Sequence, residues 1–278
     1  MYPIMYLFGH PVQTYYVCAA LAGLTGLILS ALLLRRVLPA PGWLVLPLLT
    51  AAAALLGARG LNILTNPEAY GSRFSPWTLQ YTRLSLMGGL GAGVAVILGY
   101  CAITRRRPGI VLDAFVLPAA AGIFLLKLGC FCNGCCFGKP TEGPLGMIFP
   151  ANAARYEFIN SLPLIHAASP RVHPTQLYEM AGCVLALVLA YLLERLTKPA
   201  SGVRAAVFAA GFALARWLVL PLRALPYPDI VIRVVYPALY AAVIGGGILL
   251  FCRRREDIMD AEGQVKKHAR DQDLHRPE

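Results

Sequence analysis

Apolar runs long enough to cross a bilayer recur along the chain: Val17–Leu34, Trp43–Leu64, Leu84–Thr104, Ile110–Leu128, Gln176–Leu193, Val203–Leu222 and Ile230–Cys252. A helix rises 1.5 Å per residue, so about 18 or more apolar residues reach across a hydrocarbon core roughly 30 Å thick. The pattern predicts seven transmembrane helices and an all-α, polytopic membrane fold. Polar breaks between the runs are short except for the outward loop Asn66–Arg83 and the longer connection over 129–175, between spans four and five.

Basic residues orient the spans. Arg35–Arg36, Arg105–Arg107, Arg195 with Lys198 and Arg204, and Arg253–Arg255 fall in alternate connections, which the positive-inside rule assigns to the cytoplasm. The N-terminus then lies outside, the C-terminus inside, and the 129–175 connection faces outward. Met1–Tyr16 contains no Lys or Arg ahead of the first run, so that run reads as a retained span rather than a cleavable signal. Tyr2, Tyr6, Tyr15 and Tyr16 suit an aromatic belt at the interface. Residues 1–255 form one transmembrane unit, and 256–278 read as a charged cytoplasmic tail. Arg73, Arg83, Lys139, Arg155, Arg171 and Arg223 remain on the outer side, either as solubilising surface or as a patch for an anionic headgroup.

Composition agrees with this reading and removes alternatives. The chain of 278 residues is 58% apolar and 14% charged, with a mean hydropathy of +0.61, whereas soluble domains carry about 25% charged residues. A single soluble core cannot enclose that much apolar sequence. The net charge of +11 comes mainly from cytoplasmic connections and the tail, and implies no nucleic-acid partner. No internal repeat, phosphate loop, Rossmann pattern or His-Glu-x-x-His motif is present, and no cofactor is implied.

Candidate chemistry concentrates between Lys127 and Glu179. Ionisable groups at membrane depth cost about 2.5–3.5 kcal/mol each on insertion scales, so they mark functional sites. The stretch reads Lys-Leu-Gly-Cys-Phe-Cys-Asn-Gly-Cys-Cys-Phe-Gly-Lys-Pro-Thr over 127–141 and closes on His-Pro-Thr-Gln-Leu-Tyr-Glu over 173–179. Thr175 is a candidate N-cap for span five. In span six, Arg216 and Arg223 are two helical turns apart and share a face. Gly89, Ala92 and Gly93 at the start of span three allow close helix packing. Of eight cysteines, Cys18, Cys101, Cys183 and Cys252 lie in or at the ends of apolar runs and behave as small hydrophobes. Cys130, Cys132, Cys135 and Cys136 cluster on the outward side, at a spacing that is not a standard zinc or iron–sulfur pattern.

Taken together, these motifs resemble the prolipoprotein diacylglyceryl transferase family. Gly9–Tyr16 is placed like its amino-terminal Arg-Trp-Tyr segment, and Gly57–Arg59 like the Gly-Gly/Ala-Arg ending span two. Met87–Leu90 stands where the family has His-Gly-Gly-Leu. Gly138–Thr141 and Gly146–Pro150 are similar to Gly-Arg-Pro-Thr and Gly-Val-Ile-Phe-Pro, and His173–Glu179 is close to His-Pro-Ser-Gln-Leu-Tyr-Glu. Against the signature Gly-Arg-x-Gly/Ala-Asn-Phe-x-Asn-Gly-Glu-x-x-Gly, the chain keeps Gly129, Phe131, Asn133, Gly134 and Gly138. Leu126 replaces its first Gly, Lys127 its Arg, Cys130 its Asn and Cys135 its Glu. Elsewhere Met87 replaces a His, Thr14 an Arg, and Leu220 a Glu.

The resemblance implies a multi-pass protein of the bacterial inner membrane that moves a diacylglyceryl group from phosphatidylglycerol to the lipobox cysteine of an exported preprotein. It implies His173, Tyr16, Tyr178 and Arg223 as catalytic candidates. Arg59, Gly88, Gly89, Lys127, Asn133, Gly134, Gly138, Gln176, Glu179 and Arg216 follow as substrate-binding candidates. For the four clustered cysteines the favoured reading is a disulfide, such as Cys130/Cys135 or Cys132/Cys136, since outer faces are oxidising. A thiol pair acting on another acceptor, or serving redox chemistry in a non-enzymatic membrane protein, comes second, and a metal site third.

Overall fold

The computed structural model describes residues 4–65, 67, 84–149, 171–197, 201–225 and 227–252. Most of the connection over 66–83, the segment 150–170 and the tail from 253 onward lie outside the described residues, and with them Arg73, Arg83, Arg155, Lys198 and Arg253–Arg255. Seven helices are long and apolar enough to cross a membrane: α1 Thr14–Leu34, α2 Gly42–Thr65, α3 Leu86–Ile103, α4 Pro108–Asn133, α5 Thr175–Leu196, α6 Val203–Leu222 (its last turn 3-10) and α7 Val231–Cys252. Each expected span is matched to within a few residues.

Two differences at the ends matter. Before α1 the chain forms a hairpin: Ile4–Leu7 pairs antiparallel with His10–Gln13. Phe8 and Gly9 form the turn with positive φ of 51° and 81°, the backbone that a two-residue hairpin requires. Helix α4 also runs on to Asn133 rather than ending at Leu128, carrying Lys127, Cys130 and Cys132 into its last turns. It starts at Pro108, whose missing N–H costs nothing there, and stops at Gly134, a left-handed C-cap with φ 72°.

Helix α4 is central. It packs on α1 and α5, and more lightly on α3 and α6, while α2 pairs with α3 and α5 with α6. Close crossings need residues without side chains. A Cβ at Gly129 would lie 2.7 Å from the Cβ of Cys18 on α1, and one at Gly88 would lie 2.6 Å from that of Leu61 and run into the Gly57 carbonyl. Small residues at such crossings let backbones approach where lipid offers no hydrophobic drive. At the other end of the bundle, the Asp113 carboxylate of α4 accepts from the N–H groups of Gly202 and Ala205 at 2.6 and 2.8 Å, where the helix dipole favours an anion. Arg204 donates twice to Glu194, at 2.7 and 2.8 Å.

Apolar and polar positions are inverted relative to a soluble protein. Leu24, Leu48, Leu56, Leu185 and Leu218 point outward, whereas Lys127, Asn133, Gln176, Glu179 and Arg216 are buried. The outward connection is partly built: Phe137, Phe149 and Val172 form a buried cluster with Phe131 and Met147, held by bridges Pro140↔Val172 and Met147↔Val172.

Candidate functional site

The loop after α4, the start of α5 and the end of α6 meet through Gly138. Its N–H donates to the His173 carbonyl at 2.8 Å, the next N–H, of Lys139, donates to Leu222 at 2.8 Å, and that of His173 returns to Lys139 at 3.1 Å. A methyl on Gly138 would lie 2.8 Å from both His173 Cβ and Thr175 Cγ2. Only glycine lets the three strands of chain close this tightly, and the closure brings Arg223, paired with Gly138 in a β-bridge, over the first turns of α5.

Those turns carry Glu179, 1% exposed, and three cations converge on its carboxylate. Lys127 Nζ of α4 lies 2.7 Å from Oε2, Arg216 Nη1 of α6 lies 2.6 Å from Oε2, and Arg223 Nη1 lies 3.2 Å from Oε1. Arg216 Nε also donates to Tyr240 Oη on α7 at 3.2 Å. Three formal positive charges face one negative, so among the described residues two have no carboxylate partner of their own in a region walled by apolar helices. Buried charge is tolerated only when paired, and an excess of this sign favours an anion.

The polar surroundings have unfilled valences. Gln176 Nε2 donates to the Cys135 carbonyl at 2.6 Å and Thr175 Oγ1 to that of Cys136 at 2.7 Å, tying the start of α5 to the loop. Gln176 Oε1 and Asn133 Nδ2 are fully buried without a partner among the described residues. An unmet amide donor or acceptor in the interior costs roughly 1–3 kcal/mol, and unmet groups of this kind point to a polar ligand. His173 Nδ1 stands 3.4 Å from Tyr178 Oη, both half-buried.

The other expected residues are carried by α1, α2 and α3. Tyr16 is 46% exposed, its ring edge-on to Tyr15 at 6.1 Å. The tyrosine turned into the bundle is Tyr15, packed on Cys130 and Cys135. Sequence carries the signal: Tyr15, Cys18 and Ala22 form the buried stripe of α1, at spacings of one and two turns. Gly88 and Gly89 make helix contacts, Gly89 facing the Ala54 carbonyl at 3.1 Å. Arg59 is buried on α2, one turn before Asn62, whose Nδ2 donates to Tyr227 Oη at 3.0 Å. Met87 packs against two apolar clusters, and Leu220 is buried in the second.

All the cysteines are free thiols. The Sγ atoms of Cys130, Cys135 and Cys136 lie within 4.8 Å of one another, and Cys132 is not among them. Hydrogen bonds from the Cys130 and Cys135 thiols, helped by the charges of Lys127 and Arg223, pull the Cys136 thiol well below its ordinary value against the effect of burial. Its neighbour Cys135 is pushed well up, by its hydrogen bonds to Cys130 and Cys136 and then by burial.

Fold and site define a polytopic helical membrane protein with a cation-rich polar centre inside its bundle. The model of the prolipoprotein diacylglyceryl transferase family matches residues 3–254, and the chain belongs to that family. Similar proteins include the phosphatidylglycerol–prolipoprotein diacylglyceryl transferases of Cereibacter sphaeroides (40% identical over 144 residues, 49% of this chain and 46% of that protein) and Methylocella silvestris (34% over 177 residues, 61% and 58%). That of Paraburkholderia phymatum is 37% identical over 156 residues, 49% of this chain and 50% of its own length. The matched portion thus spans about half the length of these curated relatives.

Proposed function

We propose that this protein transfers the diacylglyceryl group of phosphatidylglycerol to the lipobox cysteine of exported prolipoproteins, at the outer face of the bacterial inner membrane, with its N-terminus outside and its C-terminus in the cytoplasm. The observation that carries the reading is the convergence of Lys127, Arg216 and Arg223 on Glu179, which among the described residues leaves two positive charges in excess, suited to a phosphodiester. Family membership and the names of the relatives support the same reaction.

In this reaction the acceptor thiolate attacks the glyceryl carbon that bears the phosphate. A carbon–sulfur bond forms, the carbon–oxygen bond breaks, and the electron pair leaves with glycerol phosphate. Charge grows on the departing phosphate oxygen, and preorganised donors there lower the barrier. Arg223 and Arg216 are assigned to that anion, since guanidinium groups match phosphate in a bidentate fork. Lys127 supplies charge without the fork. Glu179 holds the three cations together against their mutual repulsion. Asn133 Nδ2 and Gln176 Oε1, buried with no partner among the described residues, suit the glycerol hydroxyls of the headgroup as donor and acceptor. His173, with Tyr178 beside it, is assigned the thiol proton, because a free thiol is mostly protonated at neutral pH. The acyl chains remain in the bilayer through a lateral opening, where their burial costs nothing.

Complementation of a transferase-depleted bacterium tests this. Expression of the chain restores the lipidated form of a lipobox preprotein if the proposal holds. Full membrane expression with only unlipidated preprotein overturns it.

A further inference from the structure

Beyond the anion site, the thiols of Cys130, Cys135 and Cys136 form a constellation that the transfer reaction does not use. Their Sγ atoms all lie within 4.8 Å of one another. A metal held at about 2.3 Å from each sulfur sets sulfur–sulfur distances of roughly 3.8 Å in tetrahedral and about 4.0 Å in trigonal geometry. Closing from the observed spacing takes side-chain adjustments of well under a rotamer change.

Their positions are built by the backbone rather than by a crosslink. Gly134 at φ 72° ends α4, and Cys136 at φ 60° is a second left-handed residue, a conformation that costs a non-glycine about 1–2 kcal/mol. Together they curl the chain back over the helix end, with the Cys135 N–H donating to the Cys130 carbonyl at 3.0 Å. Gln176 and Thr175 then pin the carbonyls of Cys135 and Cys136 from α5. A disulfide would need two sulfurs and strand the third; here three converge. Lys127, one turn before Cys130 on α4, lies on the same side of the helix, so the ammonium bound to Glu179 also stands beside the thiols. Tyr15 and Ala19 of α1, with Leu126 of α4, pack against the group.

We propose that Cys130, Cys135 and Cys136 form a three-thiolate site for a soft, thiophilic cation of the zinc or cuprous copper class, with any further coordination position left to water or a substrate group. Binding releases the thiol protons to solvent, and no oxidant or reductant is consumed. The unusual sequence spacing disguises the site because the ligands are gathered by two left-handed residues and by α5, rather than by a regular knuckle.

The test uses the full chain in detergent, reduced with a phosphine and titrated with cobalt(II), then with zinc(II), and separately with cuprous ion against a chelator. The expected result is a sulfur-to-cobalt charge-transfer band saturating at about one ion per chain, displaced by zinc. Cuprous competition decides which ion class is preferred. Cys135→Ser and Cys136→Ser lose the band, while Cys132→Ser and Cys252→Ser keep it. In the unmutated protein, bound zinc protects Cys130, Cys135 and Cys136 from alkylation, as read by peptide mass spectrometry, so the proposal does not depend on variants that fold. A reduced protein with countable free thiols but no band and no cuprous binding overturns it. So does a band that survives Cys135→Ser, or a disulfide among the three that re-forms in the presence of zinc.

Discussion

Replacing Glu179 by Gln separates the carboxylate's structural duty from the anion site it organises. The side chain is 1% exposed and meets Lys127, Arg216 and Arg223 at 2.7, 2.6 and 3.2 Å. At an effective dielectric near 20, a unit pair at such a distance is worth roughly 5 kcal/mol before desolvation. Desolvation removes much of that, and taking one partner from a buried pair costs about 3–5 kcal/mol. Glu179 serves three cations, which places Glu179→Gln at about 4–5 kcal/mol. For a chain of this size each kcal/mol moves Tm by about 2–4 °C, so Tm falls by roughly 8–20 °C in detergent. Glu194→Gln, which breaks the largely buried, bidentate pair with Arg204, costs less, about 1–3 kcal/mol. The cation cluster also makes a signed prediction. Phosphatidylglycerol raises Tm more in Glu179→Gln than in the unmutated protein, because three uncompensated charges replace two, whereas phosphatidylcholine raises both equally. A variant with unchanged Tm, or one that the anionic lipid rescues no better than the zwitterionic one, refutes the reasoning.

On the proposed assignment of Arg223 to the phosphate, Arg223→Ala lowers the transfer rate by about 10²–10³-fold, with little change in Tm relative to Glu179→Gln. Asn133→Leu removes a buried donor that has no partner among the described residues; Tm holds or rises, while the KM for phosphatidylglycerol increases about tenfold, the worth of one hydrogen bond. Gly138→Ala pushes a methyl to 2.8 Å from His173 Cβ, costs about 1–3 kcal/mol of overpacking and displaces Arg223, so activity falls further than stability. Gly88→Ala drives α3 from α2 at the Gly57 carbonyl and Leu61, whereas Gly91→Ala, with open space around it, leaves Tm unchanged.

Much of this architecture was readable from the order of residues. Hydrophobic runs placed the seven helices, because lipid demands long uninterrupted apolar segments that satisfy their own backbone. Arg216, Arg223, Lys127 and Glu179 stood out because charge at membrane depth needs a reason. What sequence left open was who pairs with whom. That Glu179 takes all three cations depends on α4, α5 and α6 meeting, which Gly138 and the α5 start decide through long-range hydrogen bonds. That Tyr15 is buried and Tyr16 half exposed follows from helical phase, and the tight packing at Gly88 and Gly89 follows from the crossing with α2. The thiol trio eluded spacing rules because left-handed Gly134 and Cys136 fold the chain back on itself. The hairpin at Ile4–Gln13 was hidden because so short an alternation is hard to separate from interfacial coil.

The central claim is that cations gathered on Glu179 stabilise a departing phosphate while sulfur replaces it. Proteoliposomes containing phosphatidylglycerol and a lipobox peptide measure this directly, by following glycerol phosphate release alongside the mass of the peptide. The account predicts one glycerol phosphate released per thioether formed, with both lost together in Arg216→Ala and Arg223→Ala. Release without thioether, or thioether formation that survives loss of both arginines, contradicts it.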